Sequence, residues 1–142
     1  MHYHLVVVGR MKDSGLRAVC DGYLKRLRRY ARVEELEVKD EARVLGAVPD
    51  GSRLVALSRT GDAWTSRALA DRTARWEMGG GRDVTFAIGG ALALPADVLR
   101  HADLIWSLSA LTLPHELARV IVLEQLYRAH TIRRGEPYHR GP

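Results

Sequence analysis

Apolar and polar positions along the chain fall into short blocks that switch between two periods. Residues 2–8 alternate, with Tyr3, Leu5 and Val7 on one face and His4, Val6 and Val8 on the other. Both faces carry apolar groups, which predicts a strand covered on both sides. Gly9 ends it, and Asp13 or Ser14 can cap a helix. Leu16, Val19, Cys20, Tyr23, Leu27 and Tyr30 then recur at helical spacing as that helix's inner face. Residues 33–38 predict a second strand through Val33, Leu36 and Val38. Residues 39–52 are charged, then turn-like at Pro49-Asp50-Gly51, and leave room for a short helix at most.

Leu54-Val55-Ala56-Leu57 centres a compact buried strand over residues 53–58, and Thr60-Gly61-Asp62 reads as a turn after it. Thr65 or Ser66 caps a helix running to about Met78, with Leu69, Thr73 and Trp76 inward, and Gly79-Gly80-Gly81 stops it. Residues 83–88 form the next predicted strand and run into Gly89-Gly90. Pro95 opens a short helix to His101 or Ala102, and Leu104-Ile105-Trp106 is the last strand.

A hydroxyl-rich apolar loop follows, Ser107 to Leu113, and Pro114 suits the first position of a helix reaching Arg134. Leu117, Val120, Ile121, Val122, Leu123 and Leu126 cover more than one face of it. That predicts burial on several sides, in a core or against a second subunit. Its Arg119, Glu124, Gln125, Tyr127 and Arg128 then need polar partners. Residues 135–142 are too rich in Gly and Pro for regular structure.

Strands alternating with helices indicate an α/β fold with a mainly parallel sheet. At 142 residues, without repeat, linker or low-complexity tract, the chain reads as one domain, residues 1–142. No apolar run approaches the ~20 residues needed to span a bilayer, and the start lacks a signal-peptide layout. The expected location is cytoplasmic, with no membrane partner. One cysteine, Cys20, excludes an intrachain disulfide and multi-cysteine metal sites, and reads as an inert core thiol.

The net charge of +5 favours a polyanionic partner, nucleic acid among them. Lys25, Arg26, Arg28, Arg29 and Arg32 form a basic stripe at a helix C-terminus. It is read first as solvated surface suiting the helix dipole and second as an RNA-backbone contact. In open α/β sheets ligands sit beyond the carboxyl ends of strands. Three such ends are unusual here: Leu57-Ser58-Arg59-Thr60-Gly61, Ile88-Gly89-Gly90 and Trp106-Ser107-Leu108-Ser109. No nucleotide-phosphate motif, HExxH or G-x-S-x-G is present. The six histidines are scattered, so no metal is expected. His115 and Glu116 read as helix-start capping groups. Composition and spacing stop at a basic α/β ligand-binding domain with a site at three loops.

The motifs go further. Phe86-Ala-Ile-Gly-Gly90, Trp106-Ser-Leu-Ser-Ala-Leu-Thr-Leu-Pro-His115, Arg119 with Glu124-Gln-Leu-Tyr-Arg128, and Gly135-Glu-Pro-Tyr-His139, together with Leu5-Val-Val-Val-Gly9, closely resemble the RlmH-type family. These are SPOUT-class methyltransferases acting on N3 of a pseudouridine in bacterial 23S ribosomal RNA. The likeness covers nearly the whole chain and is weakest over residues 39–52, where the chain is shortened. It implies a SPOUT-type α/β knot, a C-terminal trefoil with a mainly parallel sheet flanked by helices, and a homodimer. It implies S-adenosylmethionine (SAM) as methyl donor, held by Leu57, Gly89, Leu108, Ser109, Ala110, Leu111, Thr112 and Leu113. Tyr138, His139 and Arg140 become the catalytic candidates, with His139 as base or donor and the tail reaching across the dimer. Arg119, Arg128, Arg133 and Arg134 become RNA-binding candidates. For Arg119 and Arg128 an equal alternative is a salt bridge to Glu124 or Glu116. The substrate implied is 23S rRNA in the large subunit or, preferably, the assembled ribosome. Ser58 and Ala93 depart from the family pattern, where an acid and a glycine are frequent. Two other classes stay open: a non-catalytic ribosome- or RNA-binding factor of the same fold, and an ordinary nucleotide-binding α/β enzyme.

Overall fold

In the computed structural model, which describes all residues Met1–Pro142, five strands pair side by side. They are β1 (His2–Val8), β2 (Arg32–Val38), β3 (Arg53–Ala63), β4 (Val84–Ile88) and β5 (Leu104–Ser107). The sheet order is β2-β1-β4-β3-β5, and all four pairings are parallel. The connections carry α1 (Ser14–Leu27), a 3-10 turn Glu41–Arg43 leading into α2 (Val44–Ala47), α3 (Ser66–Met78) and α4 (Ala96–His101). The last helix, α5 (His115–Arg133), follows β5.

Alternation within the strands divides the core in two. Tyr3, Leu5 and Val7 of β1 join Val55, Phe86 and Ile88 under α1, α3 and α5. Val6 and Val8 join Leu54, Ala56 and Ala87 on the opposite face, closed by Val44, Leu94 and Val98 around α2 and α4. A strand covered on both faces cannot show a polar side, so central β4 is buried at every residue.

α5 is the element most embedded in the larger layer. Val122, Leu123, Leu126 and Ala129 are fully buried against α1, α3 and the sheet. Its polar groups find partners within the chain: His130 Nε2 and the Tyr3 hydroxyl share a 2.8 Å hydrogen bond, and the Thr131 hydroxyl donates to the Arg128 carbonyl. Leu117 is exposed and Val120 and Ile121 half-buried, so one apolar flank of the helix lies outside the core. No helix is long and apolar enough to cross a membrane.

Four local expectations change. Thr60-Gly61-Asp62 is not a turn, because β3 continues to Ala63 with a bulge. Leu57 and Asp62 both register against Trp106, which extrudes the residues between them. Gly61 is required there for proximity: a Cβ would lie 2.4 Å from the Ile105 carbonyl oxygen. Val19 is exposed and Leu24 takes its place on the inner face of α1. Leu36 is half-exposed on the edge strand. Pro114 caps α5 in extended backbone rather than opening its first turn.

Candidate active site

At the carboxyl ends of β3, β4 and β5 three loops enclose a cleft of about 650 Å³. The bulge contributes Leu57, Ser58, Arg59 and Thr60, the β4–α4 connection contributes residues 89–94, and the β5–α5 loop supplies Leu108, Ser109 and Leu111 to Pro114. His115 and Ala118 of α5 close one side. Every residue named above for the donor lines this cleft except Ala110, whose exposed side chain does not contribute.

Short polar side chains shape the loops. The Ser107 hydroxyl donates to the Ser109 carbonyl, and the Ser109 hydroxyl accepts from the Leu111 N–H, at 3.1 and 3.0 Å. Ser58, the first departure from the family pattern, shares a 2.8 Å hydrogen bond with Thr60 and accepts from its N–H, fixing the bulge from within. Ala93, the second, needs no glycine, since no non-glycine residue has a positive φ. Gly89 is constrained by proximity: a Cβ there would lie 2.9 Å from the Leu92 carbonyl oxygen and 3.3 Å from the Leu94 nitrogen. Glu116 does not cap its own helix or pair with Arg119. Its carboxylate accepts from the Lys12 and Asp13 N–H groups and ties the β1–α1 loop to the start of α5.

The tail folds back onto α5. The Glu136 carboxylate accepts from the Tyr30 hydroxyl at 2.5 Å, and the Tyr138 hydroxyl donates to Glu124 Oε2 at 2.7 Å. The Tyr138 ring packs edge-on against Tyr127 with 4.7 Å between centroids, under the Arg128 guanidinium. Burial, then the hydrogen bond to Glu124, pushes the Tyr138 phenol well above its ordinary range, so it stays protonated. Arg128 bridges Glu124 at 2.7 Å and His139 Nδ1 at 3.0 Å, and its pKa is raised first by the Glu124 hydrogen bond. A guanidinium only donates. Nδ1 is therefore the acceptor, the proton sits on Nε2, and Nε2 is buried without a partner. Arg140 is exposed and forms no ion pair.

None of Tyr138, His139 or Arg140 lines the cleft of its own chain. Arg128, which holds His139, lies ten residues beyond Ala118, about 15 Å along the helix at 1.5 Å per residue.

The four arginines expected to meet RNA separate sharply. Arg119 is 4% exposed and donates to Glu35 at 2.6 Å and Glu37 at 2.8 Å. It neither faces a phosphate nor pairs with Glu116 or Glu124 as the alternative had it. Burial works to lower its pKa, and the two carboxylates overcome this and raise it. Sequence reasoning missed these partners because Glu35 and Glu37 lie on β2, brought to α5 only by folding; their place two and four residues after Val33, on the same face as that buried residue, was the one available signal. Arg128 is committed to Glu124, as that alternative held, and to His139. Arg133 pairs with Glu77. Arg134 alone is exposed, with its guanidinium 5.1 Å over the Tyr30 ring. Beside it the expected stripe is exposed at all of Lys25, Arg26, Arg28, Arg29 and Arg32, and Arg26 lies over both Tyr23 and Tyr127. The exposed cations around the tail are thus interleaved with tyrosine rings.

Comparison with known proteins agrees along the full length. A family described as "Predicted SPOUT methyltransferase" matches residues 1–139. The ribosomal RNA large subunit methyltransferase H of Sorangium cellulosum is 47% identical, covering 97% of this chain and 99% of its own. The protein of that name from Bifidobacterium animalis subsp. lactis is 42% identical, covering 99% and 100%. Among solved structures, a probable methylase family protein from Haemophilus influenzae superposes with a TM-score of 0.61 at 12% identity, over 98% of this chain and 70% of that one. A putative methyltransferase from Legionella pneumophila, solved with the bound cofactor SAM, gives 0.53 at 12% identity, over 91% and 66%. At such identities these two structures speak for the fold alone.

Proposed function

The chain belongs to the SPOUT methyltransferase family, beside relatives named ribosomal RNA large subunit methyltransferase H, and on that premise we propose that it moves a methyl group from SAM to N3 of a pseudouridine in 23S ribosomal RNA. The observation that carries this reading is the cleft at the three strand ends. Its lining is mainly apolar, and Gly89 lets the β4 strand end lie close against the loop over residues 92–94 that forms one wall. Such a lining suits an adenosine packed against Leu side chains, and about 650 Å³ is in the range of small-molecule sites.

When bound, SAM supplies an electrophilic sulfonium methyl group. The chain's own task is to place the acceptor nitrogen in line with it, and positioning of this kind is worth several kcal/mol. Leu57, Ile88, Leu108 and Leu113 supply apolar walls against which the donor packs. The pseudouridine N3–H is a weakly acidic imide; its proton passes to solvent water at the cleft mouth, and as it leaves, negative charge builds on the flanking carbonyl oxygens. His139 Nε2–H is a donor buried without a partner in the single chain; when the tail docks at a partner's cleft it can turn to that charge, so His139 acts as an oxyanion donor rather than a base. Arg128 fixes its tautomer. Tyr138 positions the tail through Glu124, and Arg140, with Arg134, Lys25, Arg26 and Arg29, meets phosphate.

The roughly 15 Å between cleft and tail calls for a second copy of the chain. We propose a homodimer in which each tail completes the other's cleft, covering the exposed Leu92, Leu111 and Leu117. The trefoil knot expected of the family belongs to the same proposal, as does a cytoplasmic location beside the ribosomal substrate.

The test is transfer of tritiated methyl from SAM to free 23S rRNA, large subunits and assembled ribosomes from a strain lacking the activity, with the labelled nucleoside identified. Label in N3-methylpseudouridine, greatest with assembled ribosomes, supports the reading. SAM binding without transfer to any of the three points to the non-catalytic ribosome-binding factor.

A further inference from the structure

The end of the sheet remote from the cleft gathers a second polar cluster. His2 and His4 are alternate residues of β1, so the pleat projects both to one face. Register sets His4 beside Glu34 of β2 on one side and places Asp83 immediately before β4 on the other. The two imidazole rings lie with centroids 4.0 Å apart, tilted 33° to each other. Asp83 Oδ2 lies 2.9 Å from His4 Nε2 and 3.5 Å from His2 Nδ1. Glu34 Oε2 lies on the remaining nitrogens, 3.2 Å from His2 Nε2 and 3.5 Å from His4 Nδ1. Ligand atoms of His2, His4 and Asp83 all fall within 4.8 Å of one another.

Hydrogen bonding accounts for only part of this. The His4–Asp83 contact is a hydrogen bond, whereas buried His2 Nε2 makes none, its 3.2 Å approach to Glu34 lacking hydrogen-bond geometry. Two neutral imidazoles have two N–H groups for four short contacts, and two imidazolium ions at 4.0 Å would repel each other.

We propose that His2 Nδ1, His4 Nε2 and Asp83 Oδ2 bind one divalent transition-metal ion of the zinc class, with Glu34 as the outer carboxylate. In that arrangement both remaining ring N–H groups face Glu34, the partner that fixes tautomer and raises ligand basicity in histidine–metal sites. Two imidazoles and one carboxylate select zinc-like ions over magnesium or calcium, which prefer all-oxygen sets. Closing contacts of 2.9–3.5 Å around an ion at about 2.0–2.2 Å from each ligand takes only side-chain adjustment. A coordinated water completes the tetrahedron. The ion ties β1 directly to the lead-in of β4, and to β2 through Glu34, about 20 Å along the strands from the cleft. Its role is to clamp three neighbouring strands, independent of methyl transfer.

The test is calorimetric titration of tag-free, chelator-treated protein with Zn²⁺, paired with thermal melting. One saturable ion per chain at micromolar Kd or tighter, with a raised Tm, is expected. Glu34→Gln, at a solvent-facing position, should weaken Kd by about 10- to 100-fold and His4→Ala by more, while His101→Ala leaves it unchanged. Circular dichroism confirms that each variant is folded. No saturable binding, an unchanged Kd in a folded His2→Ala/His4→Ala double variant, or loss on His101→Ala each overturns the assignment.

Discussion

Arg128 donates to Nδ1 of His139 at 3.0 Å, and this one contact decides what the histidine can offer a substrate. With Nδ1 occupied as an acceptor, the position left unpartnered is the buried Nε2–H donor. His139→Ala should therefore lower methyl transfer by about 10²–10³-fold, the range for losing one oxyanion donor. SAM affinity measured by calorimetry should be unchanged. Deleting residues 136–142 should do the same more completely, and full activity in that truncation would remove the tail from the mechanism. Arg128→Ala, acting through His139, should lower kcat with little change in KM.

Gly89→Val should abolish measurable SAM binding. A Cβ 2.9 Å from the Leu92 carbonyl oxygen must displace the loop over residues 91–94, which forms one wall of the cleft. The displaced loop need not unfold the chain, since Leu92 is exposed. Wild-type affinity in this variant contradicts the pocket.

Arg119→Ala should destabilise the fold by about 1.5–3 kcal/mol in urea denaturation, because it removes charge-assisted hydrogen bonds to both carboxylates while Arg17 still holds Glu35. Glu35 and Glu37 would keep their charges beside an apolar helix. RNA affinity per folded molecule, and its salt dependence, should not change. An unaltered urea midpoint with weakened RNA binding would restore the phosphate role.

His130 sets an acid limit. Burial, the largest cause, depresses it from 6.5 to about 4. Between those values the unfolded chain binds a proton that the folded chain refuses, so stability falls as pH drops from about 6.5 towards 4. The slope approaches about 1.4 kcal/mol per pH unit. Denaturant midpoints measured across that range should show it, and His130→Gln should flatten it. The lowered carboxylates of Glu37, Glu77 and Asp83 lose their contribution as pH falls through values below their ordinary ones, in a more acidic window. An equal slope in His130→Gln would assign the acid sensitivity elsewhere.

Period and punctuation made the elements legible. Alternating apolar residues in β1, helical spacing in α1 and α3, the Asp13 and Thr65 caps and the glycines after Met78 act over a few residues, so they can be read without knowing the fold. The cleft was legible for the same reason, since parallel strands deliver their carboxyl ends to one edge and three of those ends carry unusual loops. Gly61 marks the limit: Thr60-Gly61-Asp62 has turn composition, but β5 lies close enough to hold the chain as a bulged strand.

The sequence by itself determined the helices and strands, the α/β class, the cleft-lining residues and, through its motifs, the family. Tertiary structure alone decided the partners. Arg119 and Glu35 stand 84 positions apart, and His4 and Asp83 stand 79 apart. Local spacing carries no information about such pairs, because backbone preferences act over one turn or one hairpin. Charge pairing waits for the tertiary fold to bring Arg119 of α5 to the β2 carboxylates and to set β1 beside the lead-in of β4. For that reason α5 arginines that read as RNA contacts became internal ties, and histidines that read as scattered became neighbours.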